Sequence, residues 1–205
     1  MIHPGGGSNG VGFPYGGEER QVGAEPTKFD FSERRLKDLM LYVSEKLADD
    51  PTFGETKLNK ALFFSDFEAY RLLGKPITGA EYQKNKYGPT ARLYTIMRDE
   101  LLRTHQIKSE RKLIVDHVQD VLSPRDVRAN MDQFSPEEIA IVDRVIEEMR
   151  QYNNTEISDK SHEQSAGWRA KKQGETIHYE TALIDPEPAD AEALAFLRKL
   201  EGISA

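Results

Sequence analysis

The 205-residue chain contains no cysteine. Disulfides and thiolate metal sites are therefore excluded, and nothing points to an oxidising compartment. In that setting the Asn153-Asn154-Thr155 sequon reads as a coincidence rather than a glycosylation site. Long apolar runs are missing too: no uncharged stretch approaches the roughly 20 residues that span a bilayer. The first residues lack the basic and apolar regions of a signal peptide, so the expected location is the cytoplasm, with no membrane partner. Positive charge is in short supply. With 28 Lys and Arg against 35 Asp and Glu, the net charge is −7. Such a chain lacks the cationic surplus that displaces counterions from phosphates, so direct nucleic-acid binding is not expected and basic partners are favoured.

The motifs of common catalysis are equally sparse. Gly5, Gly7 and Gly10 match GxGxxG literally, but no strand precedes them and no helix follows. His162-Glu163 begins an HExxH pattern whose second histidine position holds Ala166. No nucleophile elbow or phosphate-binding loop is present. Asp159 and His162 are three apart and could share a helix face, the carboxylate orienting the imidazole; the preferred reading is a histidine that closes a short helix and bonds a nearby carbonyl. The expectation is no catalytic residue, no metal and no cofactor.

What is present is a mainly helical pattern. Residues 1–27 hold eight of the fifteen glycines and three of the ten prolines and are read as a flexible tail, leaving 28–205 as a single domain. Leu36, Leu39, Met40, Val43 and Leu47 mark one apolar stripe on a first helix over 32–49. A second helix over 56–73 is apolar nearly all round and ends at Gly74, which places it at the centre of the domain. Residues 75–89 read as turn and extended chain, with a third helix over 90–103. The β-branched residues in 106–122 predict a small hairpin. Ser135-Pro136-Glu137-Glu138 starts a helix to residue 151 with a capping box. A short helix is expected from Thr155 through His162, a strand over 176–183 and a last helix over 188–200. The predicted fold is mainly α, a compact helical domain around a central buried helix with a small antiparallel β element.

The polar residues of the second helix are the informative ones. A helix buried on most sides keeps Asn59, Lys60 and Asp66 only if partners satisfy them, since unpaired burial costs about 1–3 kcal/mol for a neutral group and more for a charge. Lys57 and Lys60 are expected on the one exposed, solvated strip, with a contact face for another macromolecule as the alternative. Tyr82 and Tyr87 follow on an irregular segment held by a rigid core, where aromatics serve either as interface anchors or as core caps. Trp168, the only tryptophan, is expected to pack against the bundle.

Together these residues resemble a known family. Lys57 to Phe64, then Asp66-Phe67, Pro76 to Tyr82 and Tyr87-Gly88-Pro89 are similar to the signature of the Panacea domain of SocA-like antitoxins, a family with phage-associated relatives. Ser161-His162 and Trp168 resemble its second block, and the resemblance extends over about residues 35–185. It implies a mainly helical domain with a small β element that neutralises a cognate protein toxin by direct binding, without catalysis. The implied partners include toxic small alarmone synthetases and, for an adaptor mode of action, a ClpXP-type protease. A small hydrolase or nucleotide-handling enzyme using His162 is the alternative from another class. The resemblance implies that Asn59 and Lys60 fix the fold or line a groove, and that Tyr82, Tyr87 and nearby polar residues face the toxin. The motif set is Lys57, Asn59, Lys60, Asp66, Tyr82, Tyr87, Gly88, Pro89, His162 and Trp168.

Overall fold

In the computed structural model, residues 26–114, 117–125 and 127–184 are described, the side chains of 112–120 excepted. The glycine-rich segment, most of which precedes residue 26, and the helix expected over 188–200 lie outside them.

Helix α1 spans Glu33–Lys46 and starts where the Ser32 side chain accepts the Arg35 N–H. Its predicted stripe is buried throughout, Leu36, Leu39, Val43 and Leu47 being wholly shielded. Helix α2, Glu55–Leu73, ends on Gly74 in the left-handed conformation. It packs against α1 on one side and against several of the later elements on the others. Its buried positions include Leu58, Ala61, Leu62, Phe63, Phe67, Ala69 and Tyr70, which leaves no broad solvated face. The central helix is the axis of the fold.

After a turn, strand β1 (Tyr82–Asn85) and strand β2 (Gly88–Ala91) form a hairpin across Lys86-Tyr87. Pro89 sits in β2, an edge strand of its sheet, where a missing N–H does little harm. The third helix, expected from residue 90, therefore begins later: α3 is Tyr94–Arg103, because Thr90 and Ala91 are committed to pairing with Gln83 and Tyr82. Strands β3 (Ile107–Ile114) and β4 (His117–Pro124) form the second antiparallel pair, in the segment where a hairpin is predicted.

Helix α4, Pro136–Met149, carries the expected capping box between Ser135 and Glu138. Helix α5, Asn154–Glu163, starts earlier than expected: Asn153, not Thr155, supplies the cap, in a second capping box with Glu156. A one-turn helix α6, Ala166–Ala170, follows. The strand expected over 176–183 is corrected to a two-residue β5, Thr176–Ile177, and a 3-10 turn over Tyr179–Leu183. Alternate burial of Ile177, Tyr179 and Thr181 imitates a strand in the sequence, but pairing with β1 ends at Tyr82 opposite Ile177. Beyond it the Tyr179 ring enters the core. The architecture is mainly α, with small antiparallel β elements.

Candidate functional site

The polar groups of α2 are the natural starting point, because burial forces each to find a partner. Lys57 and Lys60 are 0% and 2% exposed, so the solvated strip expected for them does not exist. Both lysines lie on faces of α2 that neighbouring elements cover, and each amine meets a different solution. Lys57 forms an ion pair with Asp50, which also accepts from the Thr52 N–H and hydroxyl. Burial acts to raise the Asp50 carboxyl, but the bonds from Lys57 and Thr52 outweigh it and hold the group below its ordinary value.

Among the described residues Lys60 has no carboxylate partner. Its ammonium donates to the Pro89 carbonyl at 3.2 Å, and burial lowers its pKa to about 7. The space it occupies exists because residue 88 is a glycine: φ there is +104°, and a Cβ would lie 2.5 Å from Lys60 Nζ and 2.4 Å from Ser161 Oγ. Ser161 is itself fully buried and donates to the Ser158 carbonyl. Gly88 is thus the contact between α2, the hairpin and α5. Asn59, beside Lys60, donates to the Glu55 carbonyl, and its Oδ1 has no hydrogen-bond partner among the described residues.

Asp66 is fully buried and organises the turn into β1. Its carboxylate accepts from the Thr78 N–H at 2.7 Å, the Thr78 hydroxyl and the Tyr82 hydroxyl at 2.8 Å. Burial nevertheless raises its pKa, so those donors are needed to keep any charge there. Tyr82 is 1% exposed and stacks edge-on against Phe63 and Phe67. The surface position expected for Tyr82 is corrected by this geometry: its ring is core and its hydroxyl is a carboxylate clamp. Burial and then Asp66 push its own pKa well above 10.

The second sequence block meets the first at the hairpin. Trp168 donates its indole N–H to the Asn85 carbonyl at 3.0 Å. One face of its ring stacks on His162 at 3.8 Å and 8°, and Lys84 Nζ lies 4.0 Å from the ring centroid. His162 makes no bond to a neighbouring carbonyl: its Nε2 is buried and without a partner among the described residues. Burial, followed by the charges of Lys60 and Lys84, lowers its pKa, which outweighs the pull of Asp159. The imidazole is therefore neutral at pH 7 and acts as a flat packing surface. The stack fastens the hairpin to α5 and α6, and it leaves Tyr87 at the tip, 67% exposed with Lys86 Nζ 5.2 Å from its ring centroid.

Of the predicted residues, Lys57, Lys60, Asp66, Tyr82, Gly88 and Pro89 are thus interior, Asn59, His162 and Trp168 partly covered, and Tyr87 displayed. Sequence reasoning missed Asp50, Thr78 and Lys84 as their partners, since a turn or a long stretch of chain separates each pair. No group of three or more His, Asp or Glu side chains fit to hold a metal occurs among the described residues. Nor is any helix among them long and apolar enough to cross a membrane.

A family comparison matches the region that contains both blocks. The model of the antitoxin SocA-like, Panacea domain matches residues 58–169, more than half of the chain. The chain belongs to the Panacea family. The matched span takes in most of α2, the hairpin, α4, α5 and Trp168, so it includes the Lys60-Gly88-Ser161 contact. An antitoxin-type domain implies a toxin partner in general terms. No curated protein and no solved structure matches the chain significantly.

Proposed function

We propose that this Panacea chain is a non-enzymatic, cytoplasmic antitoxin that neutralises a cognate protein toxin by direct binding, with the β1–β2 hairpin tip in the contact. Family membership supplies the antitoxin role. The observation that favours this surface is Tyr87, a large aromatic side chain two-thirds exposed on a turn whose flanks are held by buried contacts. An exposed aromatic on a pre-organised turn gives contact area at little entropic cost. Lys60, Gly88, Asp66, Tyr82, His162 and Trp168 then serve as the frame that holds the tip, and Lys84 and Lys86 make the tip locally cationic.

The whole-chain charge acts over a longer range. At −7 it steers a basic partner into encounter, while the cationic tip is suited to an acidic or carbonyl-rich spot on that partner. The non-catalytic reading is supported by His162, whose ring is stacked on Trp168 and has no carboxylate bonded to it among the described residues. The test is co-expression with the gene beside it, scoring growth rescue and co-purification together. Rescue with a stable complex supports sequestration. Rescue that depends on a ClpXP-type protease, with the toxin disappearing, replaces it with delivery.

A further inference from the structure

The outer half of the β1–β2 hairpin rests on α2, α5 and α6, and the ionisable groups at that interface are mostly basic. Lys60 of α2 lies under Gly88, its ammonium donating to the Pro89 carbonyl at 3.2 Å. Ser161 of α5 closes the same gap, and the next residue, His162, keeps a buried Nε2 with no hydrogen-bond partner among the described residues. Lys84 of β1 sits over the Trp168 ring, on which His162 is stacked. The charges that bear on His162 are thus Lys60 from α2 and Lys84 from the hairpin, opposed by Asp159 from its own helix. Helix α6 presents the uncharged Trp168.

The attachments are unequal along the hairpin. Tyr82 is fixed in the core by Asp66, and the Lys84 backbone is bonded to Gly174 and Glu175. Beyond Lys84, Asn85 accepts from Trp168 and Gln173, and Pro89 accepts from Lys60. Gly88 pairs with Asn85, so a push on one side of the turn passes to the other.

We infer that proton uptake by Lys60 and His162 releases residues 85–89 from α2, α5 and α6, a local opening hinged at Lys84 that leaves the core folded. The sign follows from linkage. In the seated hairpin burial lowers the pKa of both groups, and the Lys60 charge lowers that of His162 further. In the open state both reach water and recover ordinary values, about 10.4 and 6.5, so opening takes up protons and is favoured as pH falls. Lys60 carries this down to about pH 7, and His162 continues it below about 6.5. The consequence for toxin contact, a Tyr87 tip less firmly presented in acid, rests on the reading above; the opening itself is tested without a partner.

Trp168 is the only tryptophan, so its indole N–H gives a single assignable resonance. Its protection against hydrogen exchange, relative to a free indole at the same pH, is measured from pH 8 to 5.5 beside that of the Val142 amide in α4. Protection of the indole should fall by about tenfold through Lys60 and further through His162. Lys60→Met should remove the upper part of that fall, and His162→Phe, which keeps a flat ring against Trp168, the lower part. Exchange at Trp168 should stay at least about tenfold faster than at Val142, because the opening is local. Protection that does not change with pH overturns the proposal, as does a fall that survives both substitutions together. Equal protection at Trp168 and Val142 also overturns it, since the hairpin would then open only with the whole fold. Variants that exchange faster at every pH yet keep the wild-type slope would reduce Lys60 and His162 to packing and overturn it as well.

Discussion

Gly88 and Lys60 share a space that a methyl group could enter only by moving the buried ends of the Lys60 and Ser161 side chains. A Cβ on Gly88 would stand 2.5 Å from the Lys60 ammonium, and the backbone there is left-handed at φ +104°. The hairpin can lie this close to α2 only because residue 88 has no side chain. Gly88→Ala should cost about 2–4 kcal/mol, the sum of left-handed strain and overpacking. Chemical denaturation measures it. A loss below 0.5 kcal/mol would mean that the hairpin shifts freely and that the packing described for Lys60 is not needed.

Lys60 gives the protein a pH dependence of definite sign. Its amine is held at about 7 in the folded state, against about 10.4 in an unfolded chain. Between those values the unfolded chain binds a proton that the folded one does not, so stability rises with pH. Below pH 7 both states are charged and the cost of the buried charge is present in full. The slope approaches about 1.4 kcal/mol per pH unit, and Lys60→Met should flatten it. Denaturant midpoints from pH 7 to 9.5 avoid the His162 and tyrosine titrations; parallel profiles for the two proteins would contradict the assignment.

Asp66 is expected to matter through the donors it satisfies. Asp66→Ala strands the Thr78 N–H and the Tyr82 hydroxyl in the core, with a predicted loss of about 3 kcal/mol. Adding Tyr82→Phe should cost less than it does in the wild-type background, since the hydroxyl no longer has an acceptor. A double-mutant cycle with no coupling would show that the clamp carries no energy.

The fold was legible in these residues to different depths. Periodicity and the Ser135 capping box placed α1, α2 and α4 within a few residues, because burial on one face and cap chemistry are local properties. The β3–β4 pair was legible through its β-branched residues, which are likewise a local signal. Residues 176–183 misled, since Ile177, Tyr179 and Thr181 alternate as a strand would while the sheet beside them has already ended. The lysines misled for the opposite reason: charge suggests solvent, and only the folded chain brings Asp50 to Lys57 and the Gly88 gap to Lys60. The site's frame was visible as a motif, but its geometry depends on contacts such as Trp168 to Asn85, 83 residues apart.

Tyr87 separates function from folding. It is 67% exposed, so Tyr87→Ala should change stability by less than about 0.5 kcal/mol. As an interface anchor its loss should weaken toxin binding by about 2 kcal/mol, roughly 30-fold. Trp168→Ala should lower both, because it loosens the hairpin as well as its surroundings.

The most direct measurement is therefore titration of the cognate toxin with wild-type chain and with Tyr87→Ala, alongside their thermal midpoints. The account predicts a stable complex for the wild type and a roughly 30-fold weaker one for Tyr87→Ala at an unchanged midpoint. Equal affinity for the two proteins would remove the hairpin tip from the interface, and no complex with either folded protein would contradict neutralisation by direct binding.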